Sequence, residues 1–220
     1  MSTPMSGRRA EAARNDEKIL EAAREVFLAD PDAPISAVAE RADVGISALY
    51  RRYPGKERLL QALAGDGLER FKADLESALA DERDPWTAYA ECLQRVLAGR
   101  SQALAQRVAG RFAPTAELTE LAADAGRLYT RLHRRTQRAG ALRADVTTAD
   151  VVLLLETLSL VELPVPGRDA ALRRRYLALF LQALRAPSSG PAEPLPGPRA
   201  RDKDLAARWQ PGVRPRSGRT

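Results

Sequence analysis

An all-α fold is predicted by three features of the sequence. Alanine, leucine and arginine dominate, with few β-branched or aromatic runs. Apolar side chains recur at intervals of three and four, and short clusters of Pro, Gly and Asp divide the chain into segments of helical length. At 220 residues and 45% apolar content, the chain can bury a real core.

The elements follow in order. Residues 1–14 are small, polar and basic at Arg8, Arg9 and Arg14, and read as a flexible basic arm whose end can extend the first helix. Asn15 and Asp16 open a helix burying Ile19, Ala22, Ala23, Val26 and Phe27 on one face. The run Ala29-Asp30-Pro31-Asp32-Ala33-Pro34 ends it, because two prolines and two aspartates favour turns. A second, short helix carries Ile35, Val38, Ala39 and Ala42; Asp43-Val44-Gly45 turns the chain; and a third runs from Ile46 to Tyr53.

After Pro54-Gly55, Lys56 begins a long helix through Leu79. Asp84-Pro85 opens the next, and Ser101 another carrying Leu104, Val108 and Phe112. Leu118 to Ala139 forms a helix, densely basic from Arg127 to Arg138 and closed by Gly140. Thr147 or Thr148 caps an apolar helix over Val151 to Leu163, and the last spans Asp169 to Leu184. Nine helices result. From residue 186 onward Pro, Gly, Ser and Arg prevail with little to bury, which predicts a disordered tail.

Charge and inventory narrow the function. The net charge of +6 favours a polyanionic partner, but about +4 of it sits in the tail while acids and bases nearly cancel through Leu60. Any nucleic-acid footprint there depends on local clustering. A single cysteine, Cys92, excludes an intrachain disulfide and a thiolate metal cage, and suits a reducing cytosol. Neither an apolar leader nor an 18-residue apolar stretch is evident, so secretion and a membrane partner are not expected. One His, one Cys, no glycine-rich phosphate loop and no nucleophile elbow argue against an enzyme, and no metal or cofactor is called for. A helical enzyme using carboxylates alone, or a helical adaptor binding only proteins, are the alternatives.

Two short helices about a tight turn, the second bearing Arg51-Arg52, form a helix-turn-helix pattern. Residues 38–60, V-A-E-R-A-D-V-G-I-S-A-L-Y-R-R-Y-P-G-K-E-R-L-L, closely resemble the DNA-binding signature of the TetR (TetR/AcrR) family of bacterial transcriptional regulators. The preceding I-L-x-A-A-x-x-x-F pattern is matched by Ile19, Leu20, Ala22, Ala23 and Phe27. The resemblance departs at Asp43 for the usual turn glycine, Gly45 for a capping serine, Ala48 for threonine, Arg52 for histidine and Tyr53 for phenylalanine.

The resemblance implies a DNA-binding domain over residues 15–60, then a helical effector-binding and dimerisation domain over residues 61–185. It puts Leu49 in the small domain's core and Ile46, Ser47 and Ala48 at the groove-facing start of a recognition helix. Tyr50 and Lys56 become phosphate contacts, Arg51 reaches a phosphate or a guanine, and Arg52 adds charge. A solvated face is the plain alternative for Arg51, Arg52, Lys56 and Arg58.

Farther on, Trp86, Tyr89, Phe112, Tyr129 and His133 fall on helices that surround a ligand cavity in the family, with ordinary core packing the other reading. Arg107, Arg111 and Arg127 would favour an anionic ligand if they faced inward. His133, among Arg131, Arg134 and Arg135, resembles a solvated basic face. Val152, Leu155, Leu158, Tyr176, Phe180 and Leu184 belong to an apolar excess that a twofold contact between copies would cover; a central helix wrapped by its own neighbours is the alternative. By resemblance, the expected protein is a cytoplasmic homodimeric repressor, bound to a near-palindromic double-stranded DNA operator and released by a small-molecule effector.

Overall fold

The computed structural model describes residues 5–161, 167–188, 190 and 193–206, which carry ten α-helices. The first three are α1 (Met5–Ala29), α2 (Ile35–Ala42) and α3 (Ile46–Arg52). The rod α4 (Lys56–Ala80) follows, then α5 (Pro85–Ala98), α6 (Ser101–Val108), α7 (Ala116–Arg138), α8 (Thr148–Ser159), α9 (Asp169–Leu184) and the short α10 (Asp202–Ala206). The sequence predicts nine helices, and α10 is the one it misses.

Helix α1 begins at Met5 rather than Asn15, so most of the arm expected to be flexible is helical; alanine, arginine and glutamate there are strong helix formers. Side-chain caps open α5, α7 and α8. The Asp84 carboxylate accepts the Thr87 N–H at 2.9 Å, and the Thr115 hydroxyl accepts that of Leu118 at 3.2 Å. Thr147 and Asp150 form a reciprocal capping box at the start of α8. That helix ends at Ser159 instead of Leu163, which lies outside the described residues.

Two cores are strung along α4. In the first, Phe27, Val38, Leu49, Leu59, Leu60 and Leu63 are buried together, joined by Ala103, Leu104, Val108 and Phe112 from α6 and the turn after it. In the second, Leu75 meets Tyr89, Leu93, Leu132, Val151 and Leu177. A 25-residue helix is about 37 Å long, so α4 spaces the two cores. The buried Arg24 bonds Asp66 at 2.5 Å, pinning α1 to α4.

The tail is not featureless. Ala200 donates its N–H to Asp150 at 3.0 Å, Thr147 donates its hydroxyl to the Ala200 carbonyl at 3.1 Å, and Arg143 reaches the Glu193 carbonyl at 2.7 Å. These bonds and α10 correct the expectation of disorder for the part of 186–220 that is described. Low apolar content hides a segment held by polar contacts to a helix cap.

Candidate nucleic-acid interface and cavity

The turn between α2 and α3 is set by backbone chemistry. Asp43 adopts φ 52° and ψ 50°, in the left-handed region, and the Val44 N–H reaches back to the Ala39 carbonyl at 3.0 Å. This is a Schellman-type stop, made with aspartate where glycine is cheapest. Gly45 then opens α3 without a side-chain cap, its carbonyl accepting the N–H of Ala48 at 2.8 Å and of Leu49 at 3.1 Å.

Leu49 is the one described residue of α3 that is fully buried, and it anchors the helix to the first core. Ser47 and Arg51 are exposed, as are Ile46 at 40% and Tyr50 at 48%, while Ala48 is half-buried. At 100° per residue, Ile46, Ser47, Tyr50 and Arg51 share an arc of about 140° that faces away from Leu49. One side of α3 is held and the other is presented outward.

Two of the basic residues expected in this interface also have partners within the chain. Arg52 forks onto Asp16 of α1, with Nε 2.7 Å from Oδ1 and a second bond from Nη2 to Oδ2. The Asp16 carboxylate raises the guanidinium's pKa above its already high ordinary value. Arg52 therefore clasps α3 to α1 while its side chain stays largely exposed. Lys56 donates to the Ala33 carbonyl at 2.7 Å and lies over the Phe27 ring at 5.2 Å, leaving two of its three N–H donors for a phosphate.

The five residues expected around a ligand scatter. Phe112 plugs the first core. Trp86 is buried in the second, with the Arg185 guanidinium 4.9 Å over its ring. Tyr89, Tyr129 and His133 form a buried polar chain: Tyr129 Oη lies 3.3 Å from Tyr89 Oη, which lies 3.0 Å from His133 Nδ1. His133 Nε2 lies 3.0 Å from the Val146 carbonyl and must donate there, so Nδ1 accepts from Tyr89. Burial pushes the imidazole pKa below its ordinary value, overriding the opposing pull of the Val146 carbonyl and the Asp150 carboxylate. His133 is thus a satisfied core histidine, not part of a solvated basic face.

Of those five, Tyr129 alone lines a cleft of about 760 Å³ between α4, α7, α8 and α10. Leu68, Phe71, Val152 and Leu205 supply apolar wall, and Arg127, Arg131, Arg134 and Arg138 a basic edge. The signal for this edge is legible: spacings of four, three and four place all four arginines on one helical face. Cys92 is no nucleophile here, because burial pushes its thiol up to about 12 and its Sγ faces the Asp74 carbonyl at 3.7 Å.

The apolar excess also divides. Leu155, Leu158 and Leu184 are buried in the chain's own second core, and the half-buried Val152 lines the cleft. Tyr176 at 44% and Phe180 at 38% are exposed on α9, joined by Leu179 at 51%.

No group of three or more His, Cys, Asp or Glu that could hold a metal occurs among the described residues. Nor is any described helix long and apolar enough to cross a membrane.

A corner stopped by a left-handed residue, followed by a helix anchored at a single leucine and otherwise turned outward, is the arrangement of a helix-turn-helix protein. Comparison with known proteins makes this specific. Residues 19–63 match the family model for bacterial regulatory proteins of the tetR family, and residues 81–186 match the model for the C-terminal domain of SbtR-like transcriptional regulators. The helix-turn-helix type transcriptional regulator TtgW of Pseudomonas putida is 36% identical over 81 residues, which are 36% of this chain and 60% of that protein.

Among solved structures, the TetR transcriptional regulator SCO0520 of Streptomyces coelicolor is 28% identical at a TM-score of 0.57, covering 79% of this chain and 99% of its own. The TetR regulatory protein of Mycobacterium vanbaalenii is 27% identical at a TM-score of 0.54, covering 80% and 98%. LfrR of Mycobacterium smegmatis, solved in complex with proflavine, shares the fold at 24% identity and a TM-score of 0.52, covering 76% of this chain and 96% of that one. The chain belongs to the TetR family of bacterial regulatory proteins, whose members are DNA-binding transcriptional regulators and not enzymes.

Proposed function

We propose that this chain is a cytoplasmic, sequence-specific repressor that binds a near-palindromic duplex operator as a homodimer and leaves it when a small molecule occupies the C-terminal helices. The observation that carries the reading is the outward face of α3, where Ile46, Ser47, Tyr50 and Arg51 stand free of the core while Leu49 fixes the helix. Ile46, Ser47 and Ala48 at the helix start meet base edges; Tyr50, Arg51 and Lys56 hold phosphates. The DNA-binding unit takes in residues 15–60, and residues 61–185 bind the effector and the second copy.

The dimer contact falls on α9. Leu172, Tyr176, Leu179 and Phe180 follow one another at four, three and one residues, a single stripe with Tyr176, Leu179 and Phe180 exposed. A twofold axis through that stripe would cover it with itself.

Release has a physical route. The turn after α6 grips the DNA-binding unit: Arg111 Nε and Nη2 each lie 3.1 Å from the Asp32 carboxylate, and Gln61 donates to the Ala113 carbonyl at 2.9 Å. The Ala113 N–H returns to Glu57 at 3.2 Å, and Phe112 is buried between. Helix α7 begins three residues later and walls the cleft. A ligand that displaces α7 therefore pulls on the unit carrying α3, a population shift between two dimer geometries.

The test is selection of bound sequences from random duplex DNA with the purified protein, followed by titration of the selected duplex at two salt concentrations. A near-palindromic consensus and a steep salt slope are expected. Binding without salt dependence, or no enrichment, refutes the reading and leaves a protein-binding adaptor.

A further inference from the structure

We propose that the cleft binds an amphipathic organic anion, with a carboxylate or phosphate head against Arg131, Arg134 and Arg138 and an apolar body against Phe71, Tyr129, Val152 and Leu205. This deepens the reading of the C-terminal helices as an effector site, but the binding itself does not depend on release from DNA.

Charge is the first argument. Arg127 is neutralised by Asp124 one turn earlier on α7. Among the described residues, Arg131, Arg134 and Arg138 have neither a hydrogen bond nor an ion pair. Like charges three and four apart on a helix repel, so this edge works against α7 unless an anion answers it. The next arginine, Arg135, is turned away and used otherwise: it donates to the carbonyls of Ala78 and Leu79 at 3.0 and 2.9 Å, closing the end of α4.

Position excludes DNA as that anion. Helix α7 runs beside α4 in the same direction, with Leu118 against Gly65 and Arg135 at the last turn of α4. The three arginines therefore stand beside the far end of a rod whose other end carries α3, about 30 Å from Lys56. A phosphate backbone held by α3 does not reach them.

Shape and chemistry supply the rest. The cleft of about 760 Å³ falls within the range of small-molecule sites, and its floor is apolar beneath a one-sided cationic rim. An inorganic anion would leave the floor wet, and a lipophilic cation would meet the arginines. The tail adds to one side of this open cleft, because Leu205 of α10 lines it and the Ala200 bonds to Asp150 and Thr147 hold that segment on α8.

The experiment is calorimetric titration of the full chain with decanoate and decyl phosphate, and with decyltrimethylammonium for comparison, below their micelle concentrations. It is repeated on the R131Q/R134Q/R138Q variant, with melting curves as a folding control. Expected are saturable binding of one anion per chain, binding of the cation at least tenfold weaker, and loss of at least tenfold in anion affinity in the folded variant. Equal binding of cation and anions, unchanged affinity in the variant, or saturable binding by neither anion overturns the proposal. Operator affinity measured with and without decanoate separates the two readings: anion binding that leaves DNA affinity unmoved supports the anion site while removing release as its consequence.

Discussion

Neutralising Arg51 and Arg52 in turn separates a phosphate contact from a structural clasp. Arg51 is exposed on the outward face of α3, while the neighbouring Arg52 spends its guanidinium on Asp16. Each phosphate contact contributes about 0.9 to the slope of log affinity against log salt, and a dimer carries Arg51 twice, so Arg51→Gln lowers the slope by about 1.8. Between about 50 and about 200 mM salt, wild type should then lose about twelvefold more affinity than the variant. Arg52→Gln should leave the slope in place and instead lower stability by about 0.5 kcal/mol, the worth of a largely solvated ion pair. Fluorescence anisotropy on a labelled operator duplex at several salt concentrations reads the slope, and urea unfolding reads the stability. If Arg52→Gln moves the slope as far as Arg51→Gln does, the assignment of Arg52 to the clasp is wrong; if Arg51→Gln moves it not at all, α3 is not the DNA-facing helix.

Three further outcomes are expected. Asp43→Gly relieves a left-handed aspartate and should raise stability by about 0.5 to 1 kcal/mol, while Gly45→Ser, with open space around its Cβ, adds a few tenths through the missing N-cap; urea midpoints check both. Because burial depresses the His133 pKa, the unfolded chain binds a proton in the window below about 6.5 that the folded chain does not. Stability from this residue is therefore full above that pH and declines as pH falls toward the folded value; melting temperatures across pH 5 to 7 should show the decline in wild type and lose it in His133→Gln. Leu179→Asp with Phe180→Asp places two charges per chain on the exposed α9 stripe and should convert a dimer to monomer in sedimentation without lowering monomer helicity, whereas an unchanged sedimentation coefficient removes α9 as the contact.

The parts legible in the sequence are those where a local rule and the tertiary fold agree. Leu49 is buried and Tyr50 exposed because a seven-residue helix has only one face to give the core, and the spacing of Ile35, Val38 and Ala39 marks the buried face of α2 in the same way. Arg52 was not legible, because its partner Asp16 lies 36 residues away on α1 and no spacing rule connects them. His133 misleads for the same reason. Its neighbours in sequence are arginines, but its neighbours in space are Tyr89 and the Val146 carbonyl, and a 3.6-residue period turns it inward while Arg131 and Arg134 go out. Leu155, Leu158 and Leu184 look like surplus only when α8 and α9 are counted separately; packed on each other and on α5, they use that surplus internally.

The packing of the first core bears on the proposed route of release. The first core is not closed by the first three helices: Ala103, Leu104, Val108 and Phe112 complete it from α6 and the turn beyond. The DNA-binding unit therefore cannot relax independently of the segment leading into α7. Fully burying a phenylalanine is worth about 2 to 3 kcal/mol, so a ligand-driven shift of α7 that withdrew Phe112 would meet a cost of that order, besides breaking the pair between Arg111 and Asp32. A cost of that size exceeds thermal energy several-fold, and a coupling of about 1 to 3 kcal/mol corresponds to the five- to 150-fold affinity changes characteristic of allosteric sites. Moving Phe112 and the DNA-binding unit together avoids that cost, which is why displacement at the cleft should be read out as rotation of α3 and not as local melting of the turn.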